Sequence, residues 1–234
     1  MRGLGTVINV GAVLVGTLLG ALLQGRLPLR ARETVMNGLG ALTMVIGLSM
    51  AFQSANLLVV MGAVLLGSIV GELIGIERWL KRLGDRFEAR LTRPGATSTF
   101  STGFVTASLL FCIGPMAVVG SIDDALRGDV SVLAMKSVLD GFSALALSSA
   151  LGWGVGLSAL SVLVYQGAIT AAAGLVEQIM SQAMITELTA TGGVLVLAMG
   201  VKLLELKDIR VGNMLPALVF APLITAAVVA LGWM

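Results

Sequence analysis

The sequence predicts an all-α fold, a polytopic bundle of about eight transmembrane helices. The first observation is composition: 57% of the 234 residues are hydrophobic, 12% are charged, and the mean hydropathy is +0.99. The second is a set of uncharged runs, each longer than the ~20 residues that cross ~30 Å of hydrocarbon. They cover residues 3–25, 34–71, 94–122, 141–176 and 211–234. A soluble domain of this size could not bury so much apolar surface, so we expect the lipid bilayer as a partner.

Two of these runs are long enough to cross twice. Small and turn-forming residues divide them at Ser54-Ala55-Asn56 and at Gly152-Trp153-Gly154. The resulting eight helices are predicted at 3–23, 35–54, 57–76, 99–120, 131–151, 154–176, 187–203 and 212–233.

Basic residues predict the orientation of this bundle. With eight spans, 12 of the 15 Lys and Arg residues fall on one side, in the loops 24–34, 77–98 and 202–211. Loops rich in Lys and Arg stay in the cytoplasm. We therefore expect these loops in the cytoplasm and both termini outside. A chain of seven spans would scatter the same charges over both sides.

Residues 76–91 predict a separate amphipathic helix, because apolar residues recur at helical spacing with Arg and Lys between them. Such a helix lies on the membrane surface. It is interpreted either as a connector held on anionic lipid or as a surface for a cytoplasmic partner. Its apolar residues are Ile76, Trp79, Leu80, Leu83, Phe87 and Leu91.

An internal repeat is the next prediction. Gly40 and Gly47 in the second predicted helix match Gly193 and Gly200 in the seventh at identical spacing. This match pairs helices 1–3 with helices 6–8, and an offset of five spans inverts the orientation of the second copy. Inverted-topology repeats are typical of secondary transporters with a central site.

The predicted organisation is therefore one integral membrane domain over residues 1–234. Its parts are a first repeat at 1–76, a cytoplasmic amphipathic connector at 77–98, a central helix pair at 99–151 and a second repeat at 154–234.

Lys136 and Asp140 are the first candidate functional residues. They lie four residues apart, so they share one face of the fifth predicted helix and can form an ion pair. Ionisable groups inside a bilayer are costly and mark ion or substrate paths. The alternative is a structural ion pair that bridges helices.

Four further polar residues lie within or at the edges of spans: Asn9, Glu72, Gln166 and Asn213. They can line an ion or substrate path, or hydrogen-bond between helices. Gly114-Pro115 and Pro216 predict breaks in the fourth and eighth helices, because proline removes a helical hydrogen bond. Packing kinks are the alternative for both sites.

A further set of segments carries a family resemblance: Gly5-Thr-Val-Ile-Asn9, Gly47-Leu-Ser-Met50, Gly71-Glu72, Phe111-Cys-Ile-Gly114-Pro-Met116, Gly120-Ser with Gly128-Asp129, Lys136-Ser-Val-Leu-Asp140 and Asn213-Met-Leu-Pro216-Ala-Leu. Together these segments resemble the YqgA/YdfK-type family of bacterial inner-membrane proteins, over nearly the whole chain. The resemblance implies a suspicion of transport and no established substrate. A shorter segment that begins at Asp140 is similar to the Asp-Ala-Phe-Ala segments of MntP-like manganese exporters, although Gly141 replaces the usual alanine.

The sequence thus predicts a secondary transporter or permease for a small ion or solute. The alternative is a membrane scaffold or sensor that presents helix 76–91 to a partner. The sequence lacks histidine, a P-loop, a dinucleotide fingerprint and a nucleophile elbow. We therefore expect no enzyme activity, no cofactor and no nucleic-acid partner. A bound metal and a homo-oligomer both stay open.

Overall fold

The computed structural model describes residues 3–24, 26–91 and 99–231, and this part of the chain contains helices and no strands. The helices are α1 (Leu4–Gln24), α2 (Leu29–Ala51), α3 (Leu57–Ile74), α4 (Ile76–Leu91), α5 (Phe100–Cys112), α6 (Pro115–Arg127), α7 (Ser131–Leu151), α8 (Gly154–Ala171), α9 (Ala173–Ile179), α10 (Gln182–Leu203) and α11 (Ala217–Ala230), with a 3-10 turn at Val211–Met214 before α11.

The predicted all-helical membrane fold is confirmed. Among the described residues, seven segments are long and apolar enough to cross a membrane, and the bent pair α5–α6 makes an eighth if it counts as one span. The axes of Phe100–Cys112 and Met116–Arg127 differ in direction by 62°. The break therefore falls at the predicted Gly114-Pro115 position.

Local signals explain where several helices begin and end. The Asn56 side chain accepts a hydrogen bond from the Leu58 N–H, which satisfies an amide at the start of α3. Gly75 ends α3 with φ at 71°, a left-handed conformation that glycine adopts without strain. Ser181 caps α10 by accepting from the Met184 N–H. This cap places the start of α10 five residues before the predicted boundary at 187.

Other boundaries also differ from the prediction. Helix α2 begins at Leu29, directly after Pro28, so much of the predicted loop 24–34 is helical. Helix α6 continues to Arg127, seven residues past the predicted end at 120. An ion pair between Asp123 and Arg127, four residues apart, supports this last turn.

Two compact units divide the chain. The first consists of residues 1–39, 78–112 and 116–174, and the second of residues 40–77, 113–115 and 175–234. These units cut across the predicted first repeat, because α1 falls in one unit and α3 in the other. The inverted repeat itself stays a prediction.

The first unit is built around α1, which packs against α7 and α8, while α5 packs against the same two helices. Small residues allow the closest approach. A Cβ atom on Gly20 would overlap the Leu145 carbonyl oxygen, so α1 and α7 meet almost backbone to backbone. The outward face of α7 is apolar, with Phe142 70% exposed, as expected of a surface that lipid covers.

The second unit consists of α3, α10, α11 and the C-terminal part of α2. Helix α11 packs against α3 and α10. A Cβ atom on Gly67 would lie only 2.5 Å from the Ala217 Cα, so the helices touch through their backbones. The 3-10 turn gives way to α11 at Pro216, the predicted break position in the eighth helix.

Candidate functional site

Helix α7 places a charged pair in the interior of the first unit. Asp140 is the tenth of the 21 residues of α7, and Lys136 lies one turn before it. Both residues are buried, with exposed fractions of 8% and 5%. At 1.5 Å per residue α7 is about 30 Å long, so Asp140 lies near the middle of a span.

Lys136 bridges two acceptors. Its Nζ forms an ion pair with Asp140 Oδ2 and donates a hydrogen bond of 2.9 Å to the Phe111 carbonyl. Phe111 is the penultimate residue of α5, whose last carbonyls lack helical partners because the chain breaks at Gly114. The helix break therefore supplies an acceptor at the negative end of the α5 dipole, where a lysine charge is stabilised.

Asn9 and Gln166 complete this cluster from α1 and α8. The Asn9 Nδ2 donates to Asp140 Oδ2 at 3.0 Å and to Gln166 Oε1 at 2.6 Å. Both amides are buried, with exposed fractions of 0% and 1%. The structure thus brings together four predicted site residues: Asp140, Lys136, Asn9 and Gln166.

The cluster is incompletely hydrogen-bonded. Asn9 Oδ1 and Gln166 Nε2 are buried and have no hydrogen-bond partner in the described part of the chain. Asp140 receives both of its described hydrogen bonds at Oδ2. A buried polar atom without a partner costs ~1–3 kcal/mol, so atoms of this kind point to water or a ligand.

Charge compensation explains why the pair can exist inside the protein. An isolated charge at mid-span is unfavourable by several kcal/mol, whereas Lys136 and Asp140 offset one another and each has a second polar partner. The pair is formally neutral. A cation or a proton on Asp140 would therefore change the net charge of the cluster.

Glu72 and Asn213, the other two predicted path residues, belong to the second unit and contact each other there. Asn213 Nδ2 donates to Glu72 Oε2 at 2.7 Å, and Arg210 forms an ion pair with Glu72. Asn213 Oδ1 also accepts from the Glu77 N–H at 2.8 Å, at the start of α4. These contacts join the end of α3 and the start of α4 to the 3-10 turn and to Arg210, which precedes it.

Two buried carboxylates, those of Asp124 and Glu187, are not among the candidate residues that the sequence predicted. Asp124 of α6 accepts from the Gly5 N–H at 2.9 Å, at the start of α1. Glu187 of α10 accepts from the N–H groups of Ala55 and Asn56 at 2.8 and 3.0 Å, at the start of α3. Each carboxylate stabilises the positive end of another helix. Their one sequence signal is an acidic residue beside a long apolar stretch.

Helix α4 is amphipathic, as predicted, and part of its surface is covered within the first unit. A Cβ atom on Gly84 would lie 3.1 Å from Phe104, and Glu88 accepts from the Ser101 N–H at 3.1 Å. Trp79 is 60% exposed. These contacts favour the connector interpretation, in which α4 is fixed on the start of α5 and leaves one face for lipid.

Comparison with known proteins gives a family and no activity. The family described as "Protein of unknown function (DUF554)" matches residues 4–226. The chain is 33% identical over 228 residues to "Uncharacterized protein YqgA" of Escherichia coli (strain K12), covering 96% of this chain and 97% of that protein. It is 27% identical over 232 residues to "Uncharacterized membrane protein YdfK" of Bacillus subtilis (strain 168), covering 97% and 98%. No solved structure matches.

Proposed function

Since this chain belongs to the DUF554 family of proteins of unknown function, its activity must be inferred from its own residues, and we propose that it is a secondary transporter or permease for a small ion or solute. One observation carries the proposal: the buried Lys136–Asp140 pair with its unsatisfied amide neighbours, Asn9 and Gln166. A structural bridge would gain from complete hydrogen bonding, whereas a binding site keeps free donors and acceptors for its ligand.

The proposed mechanism uses the neutrality of the pair. A cation or a protonated ligand group that binds Asp140 weakens its attraction for Lys136. Lys136 then depends on the Phe111 carbonyl, which lies at the α5–α6 break. Binding is thereby coupled to the interrupted helix, the element best able to change its angle during alternating access.

Localisation and orientation belong to the same proposal. The basic segments at 24–34 and 77–98 favour an orientation with these segments in the cytoplasm and both termini outside, and the bacterial sources of the two relatives favour a bacterial inner membrane. We propose no catalytic activity. In the described part of the chain, no group of three or more His, Cys, Asp or Glu side chains is placed to hold a metal ion.

Charge movement in proteoliposomes tests the function. Purified protein is reconstituted, and currents are recorded on solid-supported membranes after concentration jumps of protons, alkali cations, halides and amino acids. We expect a saturable current for at least one of these classes. Asp140→Asn should abolish it, because the mutation removes the only negative charge of the pair.

The matched control is Asp123→Asn. This residue also pairs with a basic residue four positions away, but at the end of α6, where Arg127 is largely exposed. The control should retain the current. Absence of current for every ligand class, or full activity of Asp140→Asn, would overturn the proposal.

A further inference from the structure

Buried polar side chains connect the Asp140 cluster to the amino end of α1. We propose that four side chains, Thr6, Asn9, Gln166 and Thr170, form a hydrated polar file that admits a small monovalent cation to Asp140 from the end where α1 begins. The inference rests on the proposed function and adds the class of ligand and the side of access.

Unsatisfied polar atoms define the file. Thr6 Oγ1, Asn9 Oδ1, Gln166 Nε2 and Thr170 Oγ1 are all buried and lack hydrogen-bond partners in the described part of the chain. More than 90% of buried polar groups in native proteins are hydrogen-bonded, often to ordered water. Four such atoms on two neighbouring helices therefore indicate water or a ligand between the helices.

The register of α1 and α8 orders these atoms. The two helices run antiparallel: Asn9 bonds to Gln166, and a Cβ atom on Gly3 would lie 3.9 Å from Thr170 Cγ2. Thr6 lies one turn before Asn9, and Thr170 lies one turn after Gln166. Both threonines are therefore displaced from Asp140 in the same direction, toward the amino end of α1.

In the opposite direction the next layer of the interior is apolar, although the buried Thr17 hydroxyl, which also lacks a partner in the described part of the chain, lies one turn beyond that layer on α1. One turn further along each helix stand Val13 on α1, Ala144 on α7 and Val162 on α8, all with exposed fractions of 0%. Hydrocarbon side chains at this level offer no partner to water or to an ion. The file is thus open to polar ligands on one side of Asp140 and closed on the other.

The outer end of the file is acidic. Asp124 is fully buried and accepts from the Gly3 and Gly5 N–H groups at 3.3 and 2.9 Å. One turn before it on α6, the buried Ser121 hydroxyl also lacks a partner. A carboxylate at the mouth of a polar path raises the local concentration of cations.

The ligand class follows from the free atoms and the charge. Asp140 Oδ1, Asn9 Oδ1 and the threonine hydroxyls are oxygen ligands, which suit small hard cations. The cluster contains a single carboxylate, already balanced by Lys136. A bound cation must therefore replace the Lys136 ammonium at Asp140: a proton or an alkali ion leaves the cluster with one excess positive charge, whereas a divalent ion would leave two and would need further anionic ligands.

Cysteine accessibility tests the file without requiring transport. Thr6→Cys and Thr170→Cys are made in a Cys112→Ala background and treated with a positively charged methanethiosulfonate in membrane vesicles. Arg127→Cys marks the vesicle face nearest the mouth. From that face, we expect both positions to react, because water keeps their thiols ionisable. The second position decides the result if the first variant fails to fold.

Two neighbours on α1 are matched controls. Val7 is 63% exposed on the outer surface, where lipid is expected, and Val13 lies in the apolar layer. Val7→Cys and Val13→Cys should both stay unreactive. Reaction at Val13→Cys as fast as at Thr6→Cys would overturn the one-sided path, and unreactive thiols at 6 and 170 would overturn the file even if transport is observed.

The ligand is tested by protection. Sodium at fixed pH, or low pH without sodium, should slow the labelling of Thr170→Cys several-fold, and Asp140→Asn should remove this protection. The labelling rate in Asp140→Asn is measured at each pH as a reference, which corrects for the effect of pH on the ionisation of the thiol. Asn9→Ala serves the same purpose if Asp140→Asn fails to fold.

Protection by sodium identifies an alkali ion, protection by acid identifies a proton, and protection by neither overturns the cation assignment. Labelling and protection as expected, with no flux of any solute, would overturn the proposed transport function alone.

Discussion

Gly47 of α2 and Gly193 of α10 lie against each other in a reciprocal arrangement. A Cβ atom on Gly47 would lie 2.7 Å from the Gly193 carbonyl oxygen, and a Cβ atom on Gly193 would lie 2.6 Å from the Gly47 carbonyl oxygen. Gly40 and Gly200 repeat the relationship, with Cβ-to-oxygen distances of 3.3 and 2.9 Å. The sequence repeat matches Gly40 with Gly193 and Gly47 with Gly200, so exchanging the matched residues turns one of these two contacts into the other. A local two-fold axis would produce this symmetry, which supports the inverted repeat as a prediction.

We expect Gly47→Ala and Gly193→Ala to destabilise the protein by about 1–3 kcal/mol each, because the added methyl groups clash with backbone atoms that cannot move independently. Unfolding in detergent micelles measures the effect. The control is Gly38→Ala on the same helix, where a Cβ atom would meet nothing within 4 Å. That substitution should be neutral or stabilising. Equal stability of all three variants would show that α2 and α10 do not pack this closely.

Removing one partner of the buried ion pair should have unequal effects. Lys136→Met leaves the Asp140 carboxylate without its cation and the Phe111 carbonyl without its donor. Asp140→Asn leaves Lys136 bonded to that carbonyl. Both should destabilise, by about 3–5 kcal/mol when the remaining charge is uncompensated. Lys136→Met should be the worse variant, and the double mutant should recover much of the loss.

The exposed pair Asp123–Arg127 has the same sequence spacing and serves as the comparison in these unfolding measurements. Its removal by Arg127→Met should cost about 0–1 kcal/mol. A double mutant of Lys136 and Asp140 that regains stability but not transport would assign the pair to the mechanism. One that regains both would mark a structural bridge.

Glu187 is expected to be a stability residue of the second unit. Its carboxylate accepts from the Ser54 hydroxyl and from two amides at the start of α3. Glu187→Gln removes the charge and one acceptor oxygen, which should cost about 1–3 kcal/mol. The exposed Glu177 is the control, and Glu177→Gln should have little effect. A thermal-stability assay that ranks the two variants equally would contradict the capping role.

Topology is tested by labelling in intact cells. In a Cys112→Ala background, Arg30→Cys and Arg86→Cys should be protected from a membrane-impermeant thiol reagent, since both positions are predicted to be cytoplasmic. Arg127→Cys should react, because α6 ends on the predicted outer side. External labelling at position 30 or 86 would reverse the proposed orientation.

Much of the fold could be predicted because spans are dictated by local hydropathy and turns. Helix α4 was predicted at 76–91 and is found at Ile76–Leu91. The pairing of Lys136 with Asp140 also follows from spacing on one helix. Spacing along the sequence could not predict the hydrogen-bond partners that come from other helices, such as the Phe111 carbonyl or the α1 amides that donate to Asp124. Those contacts join residues 25 and 119 positions apart and depend on how the helices pack.

The end of α6 shows the same limit of local information. The fourth helix was predicted to end at 120, which leaves Asp123 and Asp124 in the following loop, since charged residues usually leave the membrane. Asp124 instead stays buried in a helix because the amides of α1 satisfy it. No pattern within the acidic stretch itself distinguishes these two outcomes.

The carboxylates that cap distant helices have a consequence for biosynthesis. The amides that begin α1 find their acceptor, Asp124, only after 119 further residues have been made, and those at Asn56 wait 131 residues for Glu187. Helices leave the ribosome in chain order, so α1 and α3 enter the membrane before the carboxylates that accept hydrogen bonds from their first amides have been made. A nascent chain released before Glu187 would leave the Ala55 and Asn56 amides without their acceptor, and quality-control proteases would encounter the chain in that state.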